Sequence, residues 1–175
     1  MKTRNNSLNI SLLVVTKLIF TVGLVVFFTA CSKDKFSEPL DINYQAKTNV
    51  NDNNVINDKI CYKDILGYDT SNYTFLIDST AINKIRKYFY PSGGLPFSVN
   101  VMGETIYTGE FFPSYSNSLP YGITIDPESS LTGNKLTVNI DYGFCRTDNQ
   151  LVDQRNDKRI IAVLQKDKKL VKIDL

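Results

Sequence analysis

Six carboxylates lie between residues 78 and 141: Asp78, Glu104, Glu110, Asp126, Glu128 and Asp141. A facing pair of acids could hydrolyse a glycosidic bond, and a cluster of oxygen ligands could hold calcium. Their spacing matches no EF-hand loop. Acids on turns and outer strand faces are ordinarily just solvated. The chain contains no His, which rules out Ser-His-Asp and Cys-His catalysis, zinc sites with His ligands and imidazole pH switches. Gly93-Gly94 reads as a turn, because no Gly-Lys-Ser/Thr follows it to cradle a phosphate. No catalytic residue, metal ligand or cofactor is therefore assigned, and a non-enzymatic role is expected.

Three cysteines carry the other recognisable chemistry: Cys31, Cys61 and Cys145. No two form a C-x-x-C pair, so a redox centre is not expected. Cys31 closes a leader that has no Asp or Glu. The leader starts with Lys2 and Arg4, runs through an apolar stretch from Ile10 to Phe28, and ends Phe28-Thr29-Ala30-Cys31. A basic start, an apolar middle and small residues before a cut make a secretory signal peptide over residues 1–30. The competing reading is a retained span. Leu18 to Ala30 makes only about 20 Å of helix against a ~30 Å hydrocarbon core. Reaching back to Ile10 gives enough length but places Lys17 inside, where it would have to snorkel.

Phe28-Thr29-Ala30-Cys31 resembles a lipobox, the signal at which a bacterial lipoprotein is cleaved before an acylated Cys. Phe28 stands where Leu is commonest; Phe at this place is familiar in lipoproteins of Bacteroidota-like bacteria. The resemblance implies lipidation (palmitate-type acylation) of Cys31 and a membrane-anchored address in the cell envelope, the outer membrane favoured over the inner. Taking Cys31 out of the count leaves Cys61 and Cys145 as an even pair in an oxidising compartment. They can close a disulfide, worth on the order of 4–5 kcal/mol by loop entropy, or remain two separate buried thiols.

Of the 20 basic residues, Lys2, Arg4 and Lys17 lie in the leader, which leaves 17 against 18 acidic. The basic balance thus belongs to the leader, and no nucleic-acid partner is expected. Residues 31–59 are polar and Asn-rich, as in Asn49-Val50-Asn51-Asp52-Asn53-Asn54. They read as a flexible tether, because such a composition cannot offset its ordering entropy. The alternative is an irregular loop packed on the domain.

Residues 60–175 read as a single domain. Tyr73, Phe75 and Ile77 alternate as in a strand, and Asp78-Ser79-Thr80 can cap a short helix with Ala81, Ile82, Ile85 and Phe89 on one face. Pro91-Ser92-Gly93-Gly94 ends it. Strands follow over Phe97–Val101, Thr105–Phe112 and Ile123–Ile125. Leu136, Val138, Ile140 and Tyr142 alternate along one further strand. Ile160–Gln165 and Leu170–Leu175 suggest a closing hairpin around a solvated Lys166-Asp167-Lys168-Lys169 tip, with helix open for its first arm. The expected class is α+β: a small, mainly antiparallel β domain of about six or seven strands with one short amphipathic helix.

Ile106 to Ser116 is the most distinctive stretch, with Tyr107, Phe111, Phe112 and Tyr115 leading to Tyr121. Gly109 within it marks a bulge or the close approach of another backbone. Alternating aromatics in a strand are usually core. Tyr and Phe beside small polar residues also suit a recognition surface, for which Phe112, Tyr115 and Tyr121 are the candidates. Gly94, Pro96, Phe97, Val99, Ile106 to Gly109, Phe111, Pro113, Tyr115, Ser116 and Ile125-Asp126-Pro127 together resemble a pattern in small uncharacterised lipoproteins of Bacteroidota-like bacteria. That resemblance implies the same address and brings no activity with it. The expectation is a binding or assembly module with a protein or glycan partner. The rivals are a small hydrolase with a carboxylate pair, favoured by a pocket holding two acids, and an immunity or inhibitor lipoprotein.

Overall fold

The computed structural model describes residues 37–143 and 151–173. Cys31 and Cys145 fall outside them, as do residues 1–30 and with them the expected signal peptide. Among the described residues the chain runs β1 (Leu40–Ala46), β2 (Ile56–Ile60), β3 (Ile65–Asp69), β4 (Thr74–Ile77), α1 (Ser79–Arg86), β5 (Leu95–Val101), β6 (Glu104–Phe111), β7 (Tyr121–Ile125), β8 (Lys135–Thr137), β9 (Asn139–Tyr142) and α2 (Lys158–Lys166). The strands form a six-stranded sheet in the order β2-β1-β5-β6-β7-β9 and a three-stranded sheet in the order β3-β4-β8. All pairings are antiparallel except β6 with β7. The expected mainly antiparallel β class holds, with more strands and a second helix.

The extra strands lie where a tether was expected over residues 31–59. A compact unit starts at Ser37, and within it β1 sits inside the large sheet, flanked by β2 and β5. Leu40, Ile42, Tyr44 and Ala46 are all buried, while Asp41, Asn43 and Gln45 alternate outward. A polar average hid this period of two, and one apolar face is enough to hold a strand whose neighbours cover it. The Asn-rich run is the loop between β1 and β2, knotted by its own side chains. Asn49 Oδ1 accepts from Asn51 N–H and Asp52 Oδ1 from Asn54 N–H, the Asx geometry these residues favour.

β5 and β6 form the central hairpin. Met102 and Gly103 turn it with φ of 52° and 81°, the double positive φ of a turn matched to strand twist. A bulge falls between Val99 and Asn100. Gly109 faces inward, paired with Phe97. A Cβ there would lie 2.4 Å from the Ile123 carbonyl oxygen and 2.6 Å from the Phe97 ring, so the expected close approach is real. β6 and β7 pair only at Glu110–Phe111 with Thr124–Ile125.

The single strand expected from Leu136 to Tyr142 divides at Val138. β8 joins β4 in the small sheet, whereas β9 joins β7 in the large one. Val138 is buried between them; its N–H donates to Tyr73 O, and its carbonyl accepts from Arg155 Nη1. An alternating pattern that never breaks can still serve two sheets when the backbone groups at the crossing find partners elsewhere. Side chains of both sheets and both helices join one buried cluster.

α1 is capped as expected, with Asp78 accepting from Thr80 N–H, and it buries Ile82 and Ile85. The closing hairpin is not formed. Its first arm is helix α2, capped by Asp157 and burying Ile160 and Leu164, four residues apart. The second arm runs beside β3, where Tyr68 N–H donates to Lys169 O and Val171 N–H to Tyr68 O. Lys169 is no part of a solvated tip: its Nζ donates to the carbonyls of Tyr62 and Ile65 and stands 3.9 Å from the centre of the Tyr62 ring. Burial pushes its ammonium pKa down.

Candidate functional site

The three aromatic candidates are not brought together. Phe112 continues β6, donates its N–H to Ile125 O and is 9% exposed, so it does not belong to a surface. Tyr115 is 53% exposed at the loop after β6. Its hydroxyl donates to Tyr90 O at 2.6 Å, and the neighbouring Ser116 Oγ donates to Ser92 O at 2.7 Å. Asp126 ties the same loop to the turn after β7, accepting from Ser114 N–H, Glu128 N–H and Ser129 Oγ. Burial by itself would raise the Asp126 carboxyl, but these hydrogen bonds outweigh it and hold it below its ordinary value.

Tyr121 is 52% exposed but stands opposite Tyr142 on β9. Four residues separate it from Ile125, which is level with Phe111. That is about 13 Å along the strand direction, so Tyr115 and Tyr121 belong to different ends of the sheet.

Four of the six carboxylates make bonds within the fold, Asp126 among them. Asp78 caps α1, Glu104 pairs with Arg159 at 2.8 Å, and Asp141 accepts from Thr124 Oγ1. Glu110 lines a cleft between β6 and β7 of about 650 Å³, with Tyr121, Leu151, Val152 and Gln154. Among the described residues no second acid lines it. Among the described residues no group of three or more His, Cys, Asp or Glu is placed to hold a metal. No described helix is long and apolar enough to cross a membrane.

A second cleft, of about 490 Å³, lies on the outward face of the large sheet. It is lined by Asn43, Gln45, Asn57, Lys59, Ser98 and Thr108. Nearer the Met102 turn the outward polar groups satisfy one another. Asn100 Nδ2 donates to Asp41 Oδ1 and Thr105 Oγ1 to Asn100 Oδ1, both at 2.7 Å.

The densest titratable cluster was not found from the sequence. Asp58 Oδ2 accepts from Tyr44 Oη at 3.0 Å and Tyr88 Oη at 2.8 Å, and pairs with Lys84 Nζ at 2.6 Å. Burial would raise the Asp58 carboxyl; the hydrogen bonds from Lys84, Tyr88, the Lys59 N–H and Tyr44 together hold it below its usual range. Burial, and then Asp58 itself, push the Tyr44 hydroxyl pKa up. The signal was available: Ile56, Asp58 and Ile60 alternate on the inward side of β2, and an acid at an inward position demands partners. With every neighbour a donor, the cluster joins β1, β2 and α1 and leaves no carboxylate oxygen poised as a base.

Cys61 is half-buried and, among the described residues, forms no disulfide. Burial raises its thiol pKa, which makes it a poor nucleophile.

Searches of protein-family models, curated proteins and solved structures find no match to this chain.

Proposed function

We propose that this chain is a lipid-anchored, extracytoplasmic binding or assembly module, held to a cell-envelope membrane through acylated Cys31, with the Tyr115 loop as its recognition surface. The observation that carries the recognition half is the pinning of that loop. Tyr115 and Ser116 are tied to backbone carbonyls of Tyr90 and Ser92, and half of Tyr115 stays exposed. A loop ordered in advance loses little entropy on meeting a partner, and Tyr offers amphipathic contact area on few rotatable bonds. The involvement of Asp78, Glu104, Asp126 and Asp141 in structural bonds favours this reading over a hydrolase. The leader and its Phe28-Thr29-Ala30-Cys31 ending support the anchor.

Metabolic labelling with a fatty-acid probe tests the anchor: wild type takes the label and Cys31→Ala does not. Labelling that persists in the variant would overturn it. Crosslinking in the native cell, with partner identification, tests the surface. Tyr115→Ala weakens capture at least severalfold and Tyr121→Ala does not; unchanged capture by Tyr115→Ala removes the loop as the interface.

A further inference from the structure

With β1 starting at Leu40, only residues 32–39 separate Cys31 from the sheet. At ~3.3–3.6 Å per residue that stretch reaches at most about 30 Å. A spacer running to Asp58 would have reached about three times as far. That reach bounds how far the start of β1 can lie from whatever holds Cys31.

The residues at that end of the large sheet, where β1 starts, are known from the register. Leu40 pairs with Val101, so the β5–β6 turn lies beside the start of β1. Met102 N–H donates to Pro39 O at 3.3 Å, and a Cβ on Gly103 would lie 3.2 Å from Ser37 Cβ. Met102 is 60% exposed, in a left-handed conformation. Asn, Asp and Gly are the usual residues at such a turn position, and an L side chain there raises the local energy. The chain thus holds an unbranched apolar side chain out of the fold at a position where both backbone and solvent disfavour it. A local cost of this kind points to something outside the domain.

The other end carries the display features. β1 rises about 20 Å from Leu40 to Ala46, and the β1–β2 loop beyond it presents Val50, 67% exposed. Lys47 pairs there with Phe89, and Tyr115 bonds to Tyr90 next along the chain.

We infer that the end of the large sheet formed by Pro39 and the Met102–Gly103 turn rests on the phospholipid bilayer, with the Met102 side chain at the boundary between headgroups and acyl chains. The Val50 and Tyr115 end points away from the membrane. The inference rests on the acylation of Cys31 proposed above. The acyl chains supply the affinity; a single thioether side chain adds little to it and instead sets which end faces down.

The absence of Trp makes the test clean. Met102→Trp and Val50→Trp are each prepared as full-length lipidated protein and reconstituted into phosphatidylethanolamine/phosphatidylglycerol vesicles containing headgroup-proximal nitroxide lipid. The fluorescence of Met102→Trp falls at least twofold and shifts to the blue, while that of Val50→Trp is unchanged. Equal quenching of both, quenching of neither, or stronger quenching at Val50 overturns the orientation. Met102→Asn serves as a folding control, since it suits the turn. Acyl mass on the purified protein, and release of Cys31→Ala from the vesicles, are scored separately. If the acyl mass is missing, the anchor and this inference fall together. If it is present and Met102→Trp is not quenched, only the orientation falls.

Discussion

Two parts of the interior solve the same problem in opposite ways. In the corner between β1, β2 and α1, the polar groups saturate one another: buried Tyr44, half-buried Tyr88 and exposed Lys84 all converge on Asp58. In the seam between β6 and β7 the ladder covers two residue pairs, and the Tyr107 hydroxyl, in a residue 4% exposed, has no hydrogen-bond partner among the described residues. The corner is held by directional bonds, so it should respond to charge and pH. The seam is held by shape, with Phe97 laid across Gly109, so it should respond to volume.

The sharpest way to break that contrast is Gly109→Ala. The added methyl meets the Ile123 carbonyl and the Phe97 ring well inside van der Waals distance. A loss of at least about 3 kcal/mol is expected, at the upper end of overpacking costs, read from the urea midpoint. A loss below 1 kcal/mol would mean that the seam yields and is not held by shape.

Asp58→Asn comes next, at about 1–2 kcal/mol, because Asn keeps one acceptor oxygen but loses the charge that strengthens the bonds from Lys84 and two Tyr hydroxyls. Its pH dependence is the finer test. The folded carboxyl lies below its ordinary value, so its contribution is fully present above about pH 4, the unfolded carboxylate range, and is lost as pH falls through the folded value. Wild type should therefore lose its advantage over Asp58→Asn on acidification. A constant gap between pH 7 and pH 2.5 would mean that the corner does not depend on charge.

Tyr107→Phe should go the other way. Removing a buried hydroxyl that has no partner among the described residues relieves a desolvation cost, so the variant is as stable as wild type or more so, by up to about 1 kcal/mol. Clear destabilisation would reveal a partner for that hydroxyl. The smallest effect is expected at Tyr115→Phe, about 0.5–1 kcal/mol for one partly exposed hydrogen bond. Faster amide exchange confined to residues 112–120 should accompany it.

Much of this was legible in residue order. The β5–β6 hairpin, the Asp78 cap and the special place of Gly109 each follow from local pattern. Strand β1 and the Asp58 corner carried a signal too, an alternation of buried and outward positions, but average polarity across an Asn-rich stretch concealed it. The same averaging produced the tether. The break at Val138 had no local signal, because either sheet would accept the alternation that runs through it. The second helix was ambiguous, since a short apolar run bounded by charge suits either state.

Residue order by itself determined the acid-free apolar stretch that ends at Cys31, the absence of any imidazole chemistry, the mainly antiparallel class, and which faces of most strands turn inward. Those properties depend on composition and on periods of two or four residues. Only the tertiary structure decided that residues 40–60 belong to the domain, that Phe112 is buried, and that Tyr115 and Tyr121 lie at different ends of the sheet. It also placed the Met102 turn beside the start of β1. Each of these depends on which strands become neighbours, and neighbourhood is set by how the whole apolar surface is covered at once.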